Sequence, residues 1–341
     1  MTATVHEATY GGLLARGGQS AFAKFGLETS NGDGGAGMIM PGVETLPAAP
    51  ASLAHVGYSD VPTFQIGQNG GEIRGVGAYQ ALQLCKGRRD ITVRTNHRIG
   101  NYGFLRYGLR SAGLGGTSTF MGLPVFTFGG GALDQYGRGF SWLARYALMR
   151  EFSFTFTDQP NSPVTASSEM WAIALDRAGA AQSATGAPAA VIAAGGAPLM
   201  WQHARWLLDV GGTLTEFKSI LKSVTVTVTN ELERVNTNFD WGDDNPLSRT
   251  AIQIIPLSET VKVTYQLHDM LPPAFLDAAA NSLNMGAIIL EATDEKAGGS
   301  KTMTCTIDNN LINNFSMQGV GPNAKLEFSM DTVSSAISIT A

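Results

Sequence analysis

A catalytic or metal site in this chain would have to be built from its histidines, serines, cysteines and carboxylates. The five histidines (His6, His55, His97, His203, His268) are scattered. None has the H-E-x-x-H or paired-carboxylate spacing that would hold zinc or orient a nucleophile. Ser219-Ile220-Leu221-Lys222 has the S-x-x-K spacing in which a lysine could activate a serine, but it lacks companion motifs and runs straight into a strand. Gly129-Gly130-Gly131 precedes no convincing helix whose N-terminus could cradle phosphate. Asp240-Trp241-Gly242-Asp243-Asp244-Asn245 offers oxygens to Ca²⁺ without the regular spacing and distal Glu of a calcium loop. Asn314-Phe315-Ser316 is a glycosylation sequon with no secretory context. Cys85 and Cys305 form no C-x-x-C, which excludes the usual zinc and redox spacings. The expectation is no enzyme, no cofactor and no metal.

The charges are more informative. Lys86, Arg88, Arg89, Arg94, Arg98, Arg106 and Arg110 form a basic segment broken only by Asp90. Glu231, Glu233, Asp240, Asp243 and Asp244 form an acidic one broken only by Arg234. Two readings stand. The segments are two solvated faces, or the basic segment of one subunit meets the acidic loop of a neighbour, since like units in series need complementary ends. Gripping DNA is disfavoured, because only Tyr102, Phe104 and Tyr107 could stack on bases there.

The elements that position these residues are mostly strands. Lys222 to Val235 alternates Val and Thr, so one face of a strand meets a core and the other a wetter surface. Further strands are expected at 22–27, 61–66, 72–79, 90–95, 124–128, 140–148 and 150–157. In the second half they are expected at 199–208, 259–267, 287–292, 301–307, 324–330 and 336–339. Helices are expected at 101–112, with Gly113 as its cap, and at 272–283, with Pro at its first turn. Of the 341 residues 15% are charged and 41 are Gly, a charge content well below the ~25% of an ordinary soluble domain. Such a surface suggests an obligate assembly. The start lacks the basic and apolar regions of a secretory signal, and 187–200 is too short and broken to span a bilayer.

Residues 1–60 read as an arm and loops, 61–177 as a first unit, 178–198 as an Ala/Gly-rich connector and 199–341 as a second unit. Asp90 to Thr95 resembles Thr260 to Tyr265, with Ile91 and Val261 170 residues apart, and Phe104-Leu105 resembles Phe275-Leu276. The fold class expected is mainly β: two related β-barrel or β-sandwich units, each with one flanking α-helix, plus long loops or an arm.

Three stretches together resemble the tail tube proteins of long-tailed bacteriophages. They are Ala204 to Gly212, then Lys222 to Glu233 with its closing Asn230 and Leu232-Glu233, and the strand Glu259 to Tyr265. Met303 to Asn310 is similar to that family's closing strands. The resemblance covers roughly 60–341. It implies a virion structural protein, made in the host cytoplasm, whose copies form rings stacked around a lumen for the genome. Its partners would be itself and other tail proteins, with DNA passing unbound and no membrane involved, and Glu231, Glu233, Asp240, Asp243 and Asp244 would form an acidic loop or face the lumen. Sixfold rings in that family, with two units per chain, imply a trimer with pseudo-sixfold symmetry, or else a hexamer. The alternative is another β-rich virion protein (capsid or decoration) or a carbohydrate-binding module.

Overall fold

The computed structural model describes residues 20–28, 53–73, 83–100, 102–110, 119–120, 123–133, 139–159, 162–177, 198–210, 213–235, 253–269, 284–285, 287–293, 302–308, 310–318, 327–334 and 336–340. The first half holds β1 (Ser20–Leu27), β2 (Ala54–His55), β3 (Gly57–Ser59), β4 (Thr63–Ile73), β5 (Gln83–Ile99), β6 (Thr119–Phe120), β7 (Leu123–Pro124), β8 (Phe126–Leu133), β9 (Gly139–Thr157), β10 (Thr165–Ala172) and β11 (Ala174–Arg177). The second holds β12 (Ala204–Val210), β13 (Thr213–Glu216), β14 (Leu221–Val235), β15 (Gln253–Leu267), β16 (Asn284–Met285), β17 (Ile288–Thr293), β18 (Thr302–Asp308), β19 (Asn310–Gln318), β20 (Glu327–Ser334) and β21 (Ala336–Thr340).

The main sheet contains the antiparallel series β4-β5-β10-β9-β14-β15-β20-β19. This series is one four-strand pattern written twice. β4 and β5 make a long hairpin, as do β14 and β15; β10 flanks β5 as β20 flanks β15; β9 closes the first set as β19 closes the second. Register repeats with order. Ala172 and Ile66 flank Ile91, and Ser334 and Val228 flank Val261. The hairpins slip at matching points, between Asn69 and Gly71 and between Glu231 and Leu232. Even a side-chain contact recurs: the hydroxyls of Ser153 and Ser167 meet at 2.8 Å, and those of Ser316 and Ser329 at 2.6 Å. The likeness between Ile91 and Val261 seen in the sequence is therefore a likeness of place.

Two smaller strand sets also match, β1-β8-β9-β11 and β12-β17-β18-β21. Between them and the main sheet lies one core that includes Phe126, Trp142, Phe152, Val226, Trp206, Tyr265 and Ile337. Trp206 stacks on Tyr265 with ring centroids 5.1 Å apart. The arrangement is sandwich-like, and among the described residues no sheet closes into a barrel.

Expectations from periodicity meet four differences. The strand expected at 199–208 begins only at Ala204, after a 3₁₀ turn at Trp201–His203. The strands expected at 140–148 and 150–157 are one strand, β9, bent at a bulge where Tyr146 has φ 53°. Those expected at 61–66 and 72–79 merge in part as β4. The first expected α-helix is a 3₁₀ helix, Tyr102–Gly108. Gly103 and Gly108 weaken an α-helix there, whereas 3₁₀ geometry stacks residues three apart on one side. Phe104 and Tyr107 thus both reach Phe25, each at 5.0 Å. Gly108 has no room for a side chain, since a Cβ would lie 2.4 Å from Phe152. The expected helix at 272–283 and all but the last residue of the connector at 178–198 lie outside the described residues.

Candidate functional site: the polar sheet face and its open edges

Alternation gives the main sheet two unlike faces. Val224, Val226, Val228, Phe152, Phe154, Phe156, Ile91 and Val93 are buried on one. The other presents Thr225, Thr227, Thr229, Ser153, Thr155, Thr165 and Ser167, half-buried or exposed. Hydroxyl pairs such as Thr155 with Thr225, 3.0 Å apart, run across the line where the first strand set meets the second. An open recess of about 530 Å³ lies over part of this face, lined by Asp60, Asn96, Arg98, Ser153, Thr165 and Ser167 among others. Hydroxyls paired across strands supply neither a nucleophile held by a base nor an array of free cations.

The basic segment divides over several places. Arg94 and Arg98 stand exposed on the polar face of β5, and Arg94 Nε donates to Glu169 Oε2 at 2.8 Å. Arg150 binds the other Glu169 oxygen. Burial alone would raise the Glu169 pKa, but the hydrogen bonds from Arg150 and Arg94 leave it below the usual carboxylate range. Arg106 and Arg110 are half-buried at the 3₁₀ helix, where the Arg110 backbone N–H donates to Glu259 at 3.0 Å. Lys86, Arg88 and Arg89 lie in β5, with their side chains outside the described residues. Of the acidic segment, Glu231 and Glu233 are exposed on β14, and Glu231 accepts from Ser258 at 2.9 Å. Asp240, Asp243 and Asp244, with the rest of the candidate Ca²⁺ loop, lie outside the described residues.

The exceptions within the two segments meet each other. Arg234 lies 3.6 Å from Asp90 and 4.0 Å above the Trp171 ring, and donates to the Ile91 carbonyl at 2.8 Å. This contact ties the tip of the second hairpin to the first half. Sequence reasoning also missed the bidentate pair of Arg145 with Glu28, at 2.7 and 3.0 Å, which is fully buried and joined by Thr127. A lone Glu in a Gly/Ala-rich stretch gives no signal of a partner more than a hundred positions away. The Gly129-Gly130-Gly131 run has a packing role: it lies in β8 against β9, where a Cβ on Gly130 would come within 2.5 Å of the Trp142 indole. Ser219, from the S-x-x-K match, sits exposed on a turn leading into β14. Among the described residues no three His, Cys, Asp or Glu gather as a metal set. No helix there is long and apolar enough to cross a membrane.

The main sheet ends in two open edges. Among the described residues the far side of β4 pairs with no strand, and β19 has only β16 on its far side, opposite Asn310 and Leu311. Phe315 is 39% exposed and Leu311 52% exposed on that edge. Edges of this kind are templates for another strand.

Comparison with solved structures finds similarity to the SPP1 tail tube, with 14% identity, 42% of this chain and 80% of that chain covered, and a TM-score of 0.31. The baseplate of the anti-feeding prophage is similar over 40% of this chain and 91% of its own, at 11% identity and a TM-score of 0.31. A protein of the native gene transfer agent virion is similar over 41% of this chain and 97% of its own, at 10% identity and a TM-score of 0.30. No family model matches the chain, and no curated protein matches its sequence significantly.

Proposed function

We propose that this chain is a structural subunit of a bacteriophage-type tail tube, whose copies join side by side into rings that stack around a lumen. The observation that carries the reading is the twice-written strand set in one continuous sheet, joined edge to edge at β9–β14 and, among the described residues, open at both outer edges. A surface that adds to itself head to tail, with different patches on its two ends, makes a ring when the rotation closes. With two sets per chain, three chains supply six sets, so the ring is a trimer with pseudo-sixfold symmetry. Residues 61–177 together with β1, and residues 199–341, are then the two tube units, with 178–198 their connector and the start of the chain before β1 an arm.

The hydroxyl-rich face lines the lumen in this reading. Arg94, Arg150 and Lys262 on it are each held by a carboxylate, Glu169 or Asp331. A polyanion passing such a surface finds few free cations and releases few counterions, so it slides without being gripped or read. Between rings, Lys86, Arg88 and Arg89 meet the loop carrying Asp240, Asp243 and Asp244 of a neighbour. Electron microscopy of the purified protein tests the proposal: hollow tubes or rings of three chains are expected. Dispersed single chains at every concentration would overturn it, and rings of six chains would overturn the trimer.

A further inference from the structure

We infer that the ring closes by antiparallel pairing of β19 in one copy with β4 in the next, with Phe315 opposite Ile66 and Ser316 opposite Gln65. The inference rests on the tube reading and adds the register, for which the chain carries its own template. β14 holds the place of β4: each starts a long hairpin, each slips at the same point, and Val228 faces Val261 as Ile66 faces Ile91. β19 holds the place of β9: Ser316 bonds Ser329 as Ser153 bonds Ser167, and each strand shows one register irregularity just before that serine. Inside the chain, β9 and β14 are already joined with Phe152 opposite Val228 and Ser153 opposite Thr227. Carrying that joint over residue by residue places Phe315 at Phe152, Ile66 at Val228, Ser316 at Ser153 and Gln65 at Thr227.

The side chains fit the transferred joint. Phe152 and Val228 are wholly buried, whereas Phe315 is 39% exposed and Ile66 half-buried, the state expected of the same pair with its opposite strand missing. Gln65 and Ser316 fall on the hydroxyl face, as Thr227 and Ser153 do. β16 pairs only with Asn310 and Leu311, and among the described residues the edge from Asn314 onward is left to the incoming strand. The occupant is a second copy of this chain, because only a strand of the β4 pattern repeats the register that β9 accepts within the chain.

The test is residue-specific crosslinking of assembled full-length protein. Gln65→Cys and Ser316→Cys are combined in a Cys85→Ser background; Cys305 is buried and stays out of reach. A short thiol crosslinker is expected to link neighbouring subunits into covalent dimers and trimers. The two-residue slip, Gly67→Cys with Ser316→Cys, is expected to react about tenfold more slowly or less, since diagonal positions sit ~7–8 Å apart. Tubes or rings in the micrographs without the Gln65–Ser316 link, or with the slipped link dominant, would overturn this register and leave the tube reading intact. Absence of any ring or tube, from wild-type chain as well as variant, would overturn both.

Discussion

Phe152 stands opposite Val228 where the first strand set meets the second, and neither side chain reaches solvent. Asn230, also buried on β14, donates from Nδ2 to the carbonyls of Gly108 and Met149 at 2.9 and 3.0 Å, binding the 3₁₀ helix and β9 to the joint. The joint is thus a core in its own right. Each buried Val or Phe contributes roughly 1.5–3 kcal/mol, so the two sets are held together by more than backbone pairing.

Val226 lies fully buried in the middle of this joint, opposite Phe154. Val226→Asp forces an unpaired charge into the core and is expected to abolish soluble folding. Thr227→Asp, on the polar face, is expected to leave the circular dichroism spectrum of the single chain unchanged. The reverse result would mean that the faces are assigned backwards.

The alternation in β14 could be read from sequence because a half-buried antiparallel strand writes its environment at every second residue. The likeness of Ile91 and Val261 could be read because the two residues hold equivalent places in the sheet. The bulge in β9 could not, since Tyr146 departs from ordinary φ for the sake of Glu28, which accepts its backbone N–H at 3.2 Å. The 3₁₀ helix was read as an α-helix because hydrophobic spacing over seven residues does not separate the two. Among the candidate charges, Arg94 finds a partner in Glu169 of the adjacent strand β10, which also holds Arg150, and sequence separation hides that adjacency.

The Glu28–Arg145 pair is the most buried ionic contact described in the first half, with side chains 0% and 3% exposed. Burial alone would lower the Arg145 pKa, but the hydrogen bond and charge of Glu28 hold it above its ordinary value. Removing Glu28 leaves the buried Arg145 to the part-exposed carboxylate of Asp176, 3.5 Å away, so Glu28→Ala is expected to cost about 3–5 kcal/mol in urea unfolding. Glu28→Leu combined with Arg145→Met is expected to recover much of that loss. A double variant no better than the single would mean that the site acts through shape and not through charge.

His97 is buried against the edge of Phe104, ring centroids 5.5 Å apart, and burial pushes its pKa down to about 4. Above the unfolded value of ~6.5 both states are neutral and nothing changes. As pH falls from there towards 4, the unfolded chain takes up a proton that the fold refuses. Stability therefore drops across that window, by roughly 3 kcal/mol in full. His97→Phe is expected to remove this part of the acid sensitivity. Equal slopes of stability against pH for the two proteins between 6.5 and 4 would contradict it.

The clearest separation of folding from assembly comes from one substitution made at matched places. Phe152→Asp puts a charge where the chain has already buried the ring, and the expected outcome is insoluble protein. Phe315→Asp puts the same charge on an edge still 39% open to water, where the ring stacks on Phe328 at 6.1 Å and, among the described residues, meets no strand beyond. Folding of the single chain is expected to survive, with a loss of about 1–2 kcal/mol from the forfeited stacking and burial. Assembly is not, because pairing with the next copy would bury the new carboxylate against the apolar Ile66. Sedimentation and circular dichroism together read the outcome: a folded single chain that no longer sediments as tubes is expected. Tubes that form as readily with Asp at 315 as with Phe would show that this edge stays open in the assembly and that the subunits meet elsewhere.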